Sequence, residues 1–240
     1  MTSTMILAAG RGTRLQELTA DTPKPLVEVA GVQPLRRTLQ LLAYRGYTQT
    51  VINAWYLAHL IKQMADDVKN PMVKVVEEPQ LLDTGGGVKN ALPYMDGGPV
   101  LIMNGDLIWS EETHPILAQI PDLFDPETMD GLLLLIPTNK AEGYNGSGDF
   151  FRQEDGRLRQ RTAQDGEAPY VYSGIQVLHP RVFDGIQSNV FPLIDVYNKL
   201  ADAGRLYGHV YDGEWADMGT PEGMRAAGKL LGRLGSSKVA

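Results

Sequence analysis

The 240-residue sequence contains no cysteine. Disulfides, thiolate-bound zinc and cysteine nucleophiles are therefore excluded. Histidine is scarce, and His59, His114, His179 and His209 show no metal-ligand spacing. No apolar run approaches the ~18 residues of a membrane span. The stretch from Met1 to Gly10 has a short apolar run and no basic lead-in, so it does not read as a signal peptide. Positive charge is in deficit: 22 Lys and Arg against 29 Asp and Glu leave a net charge of -7. That balance lacks the basic stripe expected of a partner for nucleic acid or an anionic membrane. A small anionic substrate stays open, because a local cluster of cations and backbone N–H groups can outweigh the global sign. These absences predict a soluble, cytoplasmic protein with neither a nucleic-acid nor a membrane partner. Self-association is left open.

What is there is an ordinary globular composition, 43% hydrophobic and 21% charged, in a chain long enough to bury a sizeable core. Thr4 to Ala9 predicts a short strand covered on both faces. Pro34 to Tyr44 carries Leu35, Leu39, Leu41 and Leu42 at helical spacing, and Leu57 to Val68 predicts a second helix. Thr50 to Asn53, Val73 to Val76, Pro99 to Met103 and Leu132 to Ile136 predict further strands, with a short helix over Val88 to Leu92. Asp149 to Arg161 reads as two strands about a turn at Asp155-Gly156. Tyr170 to Leu178 is a strand broken at Gly174. Val190 to Ala203 and Pro221 to Leu234 are helical, with a strand over Leu206 to Tyr211. Such alternation predicts an α/β fold on a largely parallel sheet, whose ligands bind at the carboxyl ends of strands. No linker marks a boundary, so residues 1–234 read as a single domain with a flexible tail at 235–240.

Two N-terminal motifs carry chemistry. The first, Leu7-Ala8-Ala9-Gly10-Arg11-Gly12-Thr13-Arg14, follows the first strand. Its small residues let backbone N–H groups approach a phosphate chain, and its arginines add fixed charge. Gly10-x-Gly12 alone is weak: Leu15 stands where a dinucleotide fingerprint has its third glycine, and the P-loop spacing is missing. A plain strand-to-helix turn with solvated arginines is the alternative. The second is Thr22-Pro23-Lys24-Pro25-Leu26, whose prolines predict a stiff, extended backbone presenting Lys24 as a point charge for phosphate. A rigid surface turn would look the same.

Taken in order and spacing, these two motifs resemble the signature of the sugar-1-phosphate nucleotidyltransferases, the NDP-sugar pyrophosphorylase family. The similarity continues through Asp83-Thr84-Gly85-Gly86-Gly87, Asn104-Gly105-Asp106 and Trp215-Ala216-Asp217-Met218-Gly219-Thr220, and spans roughly residues 4 to 232. The resemblance implies a three-layer, Rossmann-like sandwich around a mostly parallel, mixed sheet, with a nucleotide-binding half over about 1–110 and a sugar-binding half over about 111–234. It implies a nucleoside triphosphate and a sugar 1-phosphate as partners, joined with release of pyrophosphate. Leu7, Ala8, Ala9, Gly10, Gly12, Thr13, Glu78, Thr84, Gly85, Gly86 and Asn104 would contact the nucleotide. Arg14 and Lys24 would stabilise the reacting phosphates. Asp106 and Asp217 would hold Mg2+, which prefers hard oxygens and few protein ligands.

Asp149, Ser173 and Gly174 match the sugar pocket. The lysine that anchors the sugar phosphate in several relatives has no counterpart; Arg157, Arg159 and Arg161 are near but alternate as a solvated face would. A carboxylate at Glu78 only accepts hydrogen bonds, so it suits the N–H of uracil, thymine or guanine better than adenine. The motif combination is most similar to uridylyltransferases, which implies UTP; a guanylyltransferase acting on mannose 1-phosphate stays open. So do a non-catalytic nucleotide-binding module and, disfavoured by Leu15, a Rossmann oxidoreductase.

Overall fold

The computed structural model describes residues 3–236. In chain order its elements are β1 (Ser3–Leu7), α1 (Pro34–Tyr44), β2 (Gln49–Ala54), α2 (Ala58–Asp66), β3 (Met72–Glu77), α3 (Asp83–Ala91), β4 (Val100–Asn104), β5 (Leu107–Trp109) and α4 (Ile116–Leu123). There follow β6 (Gly131–Pro137), β7 (Phe150–Arg152), β8 (Leu158–Gln160), β9 (Tyr170–Leu178), α5 (Leu193–Asp202), β10 (Leu206–Val210), β11 (Trp215–Asp217) and α6 (Pro221–Ser236). Local chemistry explains the ends of α1. Pro34 occupies its first turn, where a missing N–H costs nothing, and Gly46, at φ 85°, takes the left-handed turn that stops it.

The main sheet has nine strands, seven of them in the order β10-β6-β9-β4-β1-β2-β3, with the β7–β8 hairpin attached to β9. Pairings are parallel except along β9, which runs against both β4 and β6, and in the hairpin. The mostly parallel, mixed sheet thus crosses both halves of the chain without a break. Alternation along its strands loads both faces. Ile6, Ile52 and Leu101 pack with α1, α2 and α4, while Met5, Val51 and Ile102 pack with α3 and α5. Helices on both faces make the three layers that the resemblance implies.

Several elements differ from expectation. β5 and β11 pair into a separate antiparallel ribbon, against which α6 buries Ala226, Ala227 and Leu230. Neither strand of the ribbon is predicted from sequence, because three residues carry too little pattern. α3 starts at Asp83 and takes in all three glycines rather than following them. α6 continues to Ser236, into the segment read as a tail, whose residues 237–240 lie outside the described part. Among the described residues no helix is long and apolar enough to cross a membrane.

Candidate active site

The carboxyl ends of β1, β2 and β4 lie side by side, because Leu7 pairs with Asn53 on one flank and Asn104 on the other. This register brings the first glycine motif against Asn104-Gly105-Asp106. The Gly105 N–H donates to the Leu7 carbonyl at 2.9 Å. A β-carbon on Gly105 would lie 3.0 Å from that oxygen and 3.1 Å from Pro25, so the glycine is what lets the proline-flanked turn close on the strand end. The prolines do not hold Lys24 extended, as its sequence suggested: it opens a single 3-10 turn over Lys24–Leu26. The turn buries the lysine to 8% exposure. Its ammonium donates to Asp106 Oδ2 in a partly buried ion pair.

The ribbon supplies the second carboxylate. Asp217 stands opposite Leu107, the residue after Asp106. Trp215 anchors this strand by donating its indole N–H to the Ser173 carbonyl at 2.9 Å. Burial pushes the Asp217 carboxyl up, and neighbouring Asp106 pushes the same way; Lys24, the Gly219 N–H and Arg14 pull it back. The Gly219 N–H donates to Asp217 Oδ1 at 2.9 Å. A β-carbon on Gly219 would sit 2.7 Å from Asp217 Oδ2 and 3.0 Å from the Arg14 guanidinium. Arg14, Lys24, Asp106 and Asp217, far apart in sequence, therefore meet in one cluster.

The glycine loop connects to this cluster. Ala8 and Ala9 are buried, while Gly10, Thr13 and Arg14 are exposed. Nothing in the protein lies within 4 Å of where a Gly10 side chain would start, so its protein neighbours do not require a glycine. Gly12, at φ 64°, does need one, and it packs on the Lys24 stem with 3.0 Å between a would-be β-carbon and Lys24 Cβ. Thr13–Thr19 then forms a 3-10 helix. Arg11 lies over the Trp55 ring at 5.0 Å.

The base-side residues have a different placement from the one expected. Gly85 and Gly86 donate their N–H groups to the Phe191 carbonyl at 2.9 and 3.0 Å, so the α3 N-terminus is capped from within. A β-carbon on Gly85 would lie 2.4 Å from the Phe191 ring, and one on Gly86 would lie 2.1 Å from the Asn189 carbonyl. The Thr84 hydroxyl accepts from the Leu193 N–H at 2.8 Å. These three residues make room for, and bind, the segment before α5. Glu78 is only 3% exposed, and its two oxygens accept from Asn53 and from the Leu82 N–H. Its carboxylate is committed to the protein rather than held out to a base edge.

The sugar-side residues divide similarly. Ser173 is fully buried, its hydroxyl accepting from the Ile175 N–H. Gly174, at φ 85°, clears Asn104: a β-carbon would lie 2.9 Å from Asn104 Nδ2. Asp149 is half-buried, accepting from the Tyr172 N–H at 2.8 Å and, more weakly, from the Tyr144 hydroxyl at 3.4 Å. Arg157 and Arg159 pair with Asp155 and Asp165 at the surface, whereas Arg161 donates to the Gly148 carbonyl. Sequence reasoning passed over Asn53 and Phe191 altogether. An Asn at the end of a strand beside a glycine loop was the one available signal for Asn53; Phe191 offered none.

Asp106 and Asp217 are the two carboxylates of this cluster that could hold a metal. Among the described residues no three or more carboxylates and imidazoles are gathered in a metal cage. A two-carboxylate set of hard oxygens nevertheless fits a cation that keeps its remaining positions for water and phosphate. The like-charge pressure on Asp217 is what a cation would relieve.

Comparison with known proteins agrees with this geometry. The profile of the nucleotidyl transferase family matches residues 3–232. An N-acetylmuramate alpha-1-phosphate uridylyltransferase from Caulobacter vibrioides is 37% identical over 229 residues, covering 93% of this chain and 94% of that one. A protein of the same name from Neisseria meningitidis is 33% identical, covering 95% and 97%. The crystal structure of HddC from Yersinia pseudotuberculosis superposes with a TM-score of 0.79 at 23% identity, over 96% of this chain and 100% of that one, and shares its fold. The chain belongs to the nucleotidyl transferase family and is a sugar-1-phosphate nucleotidyltransferase, joining a sugar 1-phosphate to a nucleoside triphosphate to give a nucleotide sugar.

Proposed function

We propose that this enzyme transfers the uridylyl group of UTP to N-acetylmuramate 1-phosphate, giving UDP-N-acetylmuramate and pyrophosphate, in the cytoplasm and as a step of peptidoglycan recycling. The observation that carries this reading is the near full-length, two-way coverage by relatives that bear that activity in their names. It suits a chemistry that needs no enzyme nucleophile. The sugar phosphate is a dianion near neutral pH. One of its oxygens attacks the α-phosphorus in line, a new P–O bond forms, and the bond to the bridging oxygen breaks with its electron pair leaving on pyrophosphate. Alignment and charge neutralisation then supply the catalysis.

In this reading the loop from Leu7 to Thr13 wraps the triphosphate, and Asn104 borders it at the strand end. Arg14 and Lys24 take up charge developing on the phosphates. The family is generally dependent on a divalent metal; here magnesium, held by Asp106 and Asp217, would neutralise phosphate oxygens when bound. Asp149 borders the sugar. Thr84, Gly85, Gly86 and Glu78 shape the base side from behind. Residues 1–110 bear mainly on the nucleotide and 111–234 on the sugar, within a single domain.

The test is pyrophosphate release over a grid of nucleoside triphosphates and sugar 1-phosphates with magnesium. Turnover should be highest with UTP and N-acetylmuramate 1-phosphate. Turnover confined to GTP and mannose 1-phosphate would overturn the uridylyl assignment.

A further inference from the structure

We infer that Asn53 and Glu78 form a hydrogen-bond relay that holds the Ala8 N–H and so fixes the path of the glycine loop that follows, making both of them positioning residues for nucleoside triphosphate binding. The inference rests on the proposed use of that loop. Asn53 is the penultimate residue of β2 and is buried. Its Oδ1 accepts from the Ala8 N–H at 3.0 Å, just where β1 ends and the loop begins. Its Nδ2 donates to Glu78 Oε1 at 2.7 Å. Glu78 Oε2 accepts from the Leu82 N–H at 3.0 Å, one residue before α3. The relay thus ties the ends of β1 and β2 to the start of α3. Gly87 closes it from behind: a β-carbon there would lie 2.6 Å from Asn53 Nδ2 and 2.7 Å from Glu78 Oε1.

Donor and acceptor logic makes the orientation obligatory. The Ala8 N–H can only donate, so Asn53 must turn its oxygen to the loop and its amide nitrogen to residue 78. Residue 78 must then accept at both of its terminal atoms, at one from Asn53 and at the other from Leu82, which a carboxylate does and a carboxamide, with a single oxygen, does not. In Glu78→Gln one donor–donor contact is left wherever the two amides are turned. The introduced carboxamide sets its nitrogen against the Asn53 nitrogen or the Leu82 N–H, or else Asn53 flips and its own nitrogen faces the Ala8 N–H. The reciprocal exchange Asn53→Asp with Glu78→Gln restores every bond. The introduced carboxylate accepts from Ala8 and from the carboxamide nitrogen, and the carboxamide oxygen accepts from Leu82. Total charge is unchanged.

The experiment measures KM for UTP, KM for the sugar 1-phosphate, kcat and Tm for wild type, Glu78→Gln and the double exchange, with UTP–magnesium affinity by calorimetry in parallel. The expected result is a rise of roughly tenfold or more in KM and Kd for UTP in Glu78→Gln, as for one unsatisfied buried donor. The sugar KM should be nearly unmoved, and the double variant should recover to within about threefold of wild type. Unchanged UTP affinity in Glu78→Gln, or a double variant as impaired as the single at equal Tm, overturns the relay. If Glu78→Gln does not fold, the double variant decides alone: wild-type UTP affinity supports the relay and impaired affinity overturns it. Calorimetry also separates the two readings, because wild type that binds UTP without turning over N-acetylmuramate 1-phosphate removes the substrate assignment and leaves the relay testable.

Discussion

Asp217 stands directly across from Leu107 in the antiparallel ribbon, and this register is what sets its carboxylate beside Asp106. Two acids separated by nearly half of the chain become one pair through three residues of strand on each side.

The pair predicts opposite effects on activity and stability. Asp106→Asn and Asp217→Asn should each lower kcat by on the order of 10³-fold, the scale of losing one preorganised electrostatic element. Neither should unfold the protein. The Asp217 carboxyl is raised by burial and by Asp106. Its favourable contribution to stability is therefore full below the unfolded carboxyl value and is lost as pH rises through the higher folded one. At neutral pH in EDTA, Asp217→Asn should match or exceed the wild-type Tm. A clear fall in Tm in that buffer would contradict the repulsive pairing.

Lys24 predicts a second split. Its stem packs on Gly12 while its ammonium holds Asp106. Lys24→Met keeps the apolar stem and removes the charge, so kcat should fall by about 10²-fold or more. Lys24→Arg should not restore it, because a planar fork does not replace a compact ammonium in a closed space. Steady-state kinetics on the two variants checks this; an Arg variant within about threefold of wild type would show that charge alone suffices there.

How much of this was legible in the sequence depends on range. Pro34 and Gly46 bracket α1 within a few residues, so its limits were predicted as found. Gly10 to Arg14 and Lys24 announced themselves by motif and resemblance. The surroundings of Gly85 and Gly86 were not legible, because their partner, Phe191, is about a hundred residues away and nothing local marks it. The bonding of Glu78 was hidden for a related reason. A sequence shows that a carboxylate accepts, but not that Asn53 and the Leu82 N–H each donate to one of its oxygens. β5 and β11 were invisible because short strands stabilise one another only after the chain has closed.

The two kinds of glycine give a third prediction. Gly86→Ala places a methyl 2.1 Å from the Asn189 carbonyl, whereas Gly10→Ala meets nothing within 4 Å. Gly86→Ala should therefore cost about 2 kcal/mol or more of stability without any ligand, the usual penalty of overpacking. Gly10→Ala should change stability by less than about 0.5 kcal/mol and should lower UTP affinity instead. Urea unfolding and calorimetry measure both. Equal stability of the Gly86 variant and wild type would return that glycine to the nucleotide.

Asp130 yields a prediction remote from the chemistry. It accepts from Arg181 Nε at 2.5 Å and Arg205 Nε at 2.6 Å, while its own N–H and carbonyl bond to Arg205 and His179. The residue thereby clamps the start of β6 between the end of β9 and the start of β10. Burial pushes its carboxyl up, but the two guanidinium groups outweigh burial and hold it below the ordinary carboxylate value. The sign follows: the stabilisation is full above the unfolded value of about 3.9 and disappears as pH falls through the lower folded value. Asp130→Asn should cost about 2 kcal/mol at pH 7, after allowance for the partly exposed arginines. Urea titrations from pH 7 downward should show the gap to wild type holding until near pH 4 and closing below it. A gap that persists unchanged into strong acid would mean that packing at the strand ends, and not the charge of Asp130, holds this edge of the sheet.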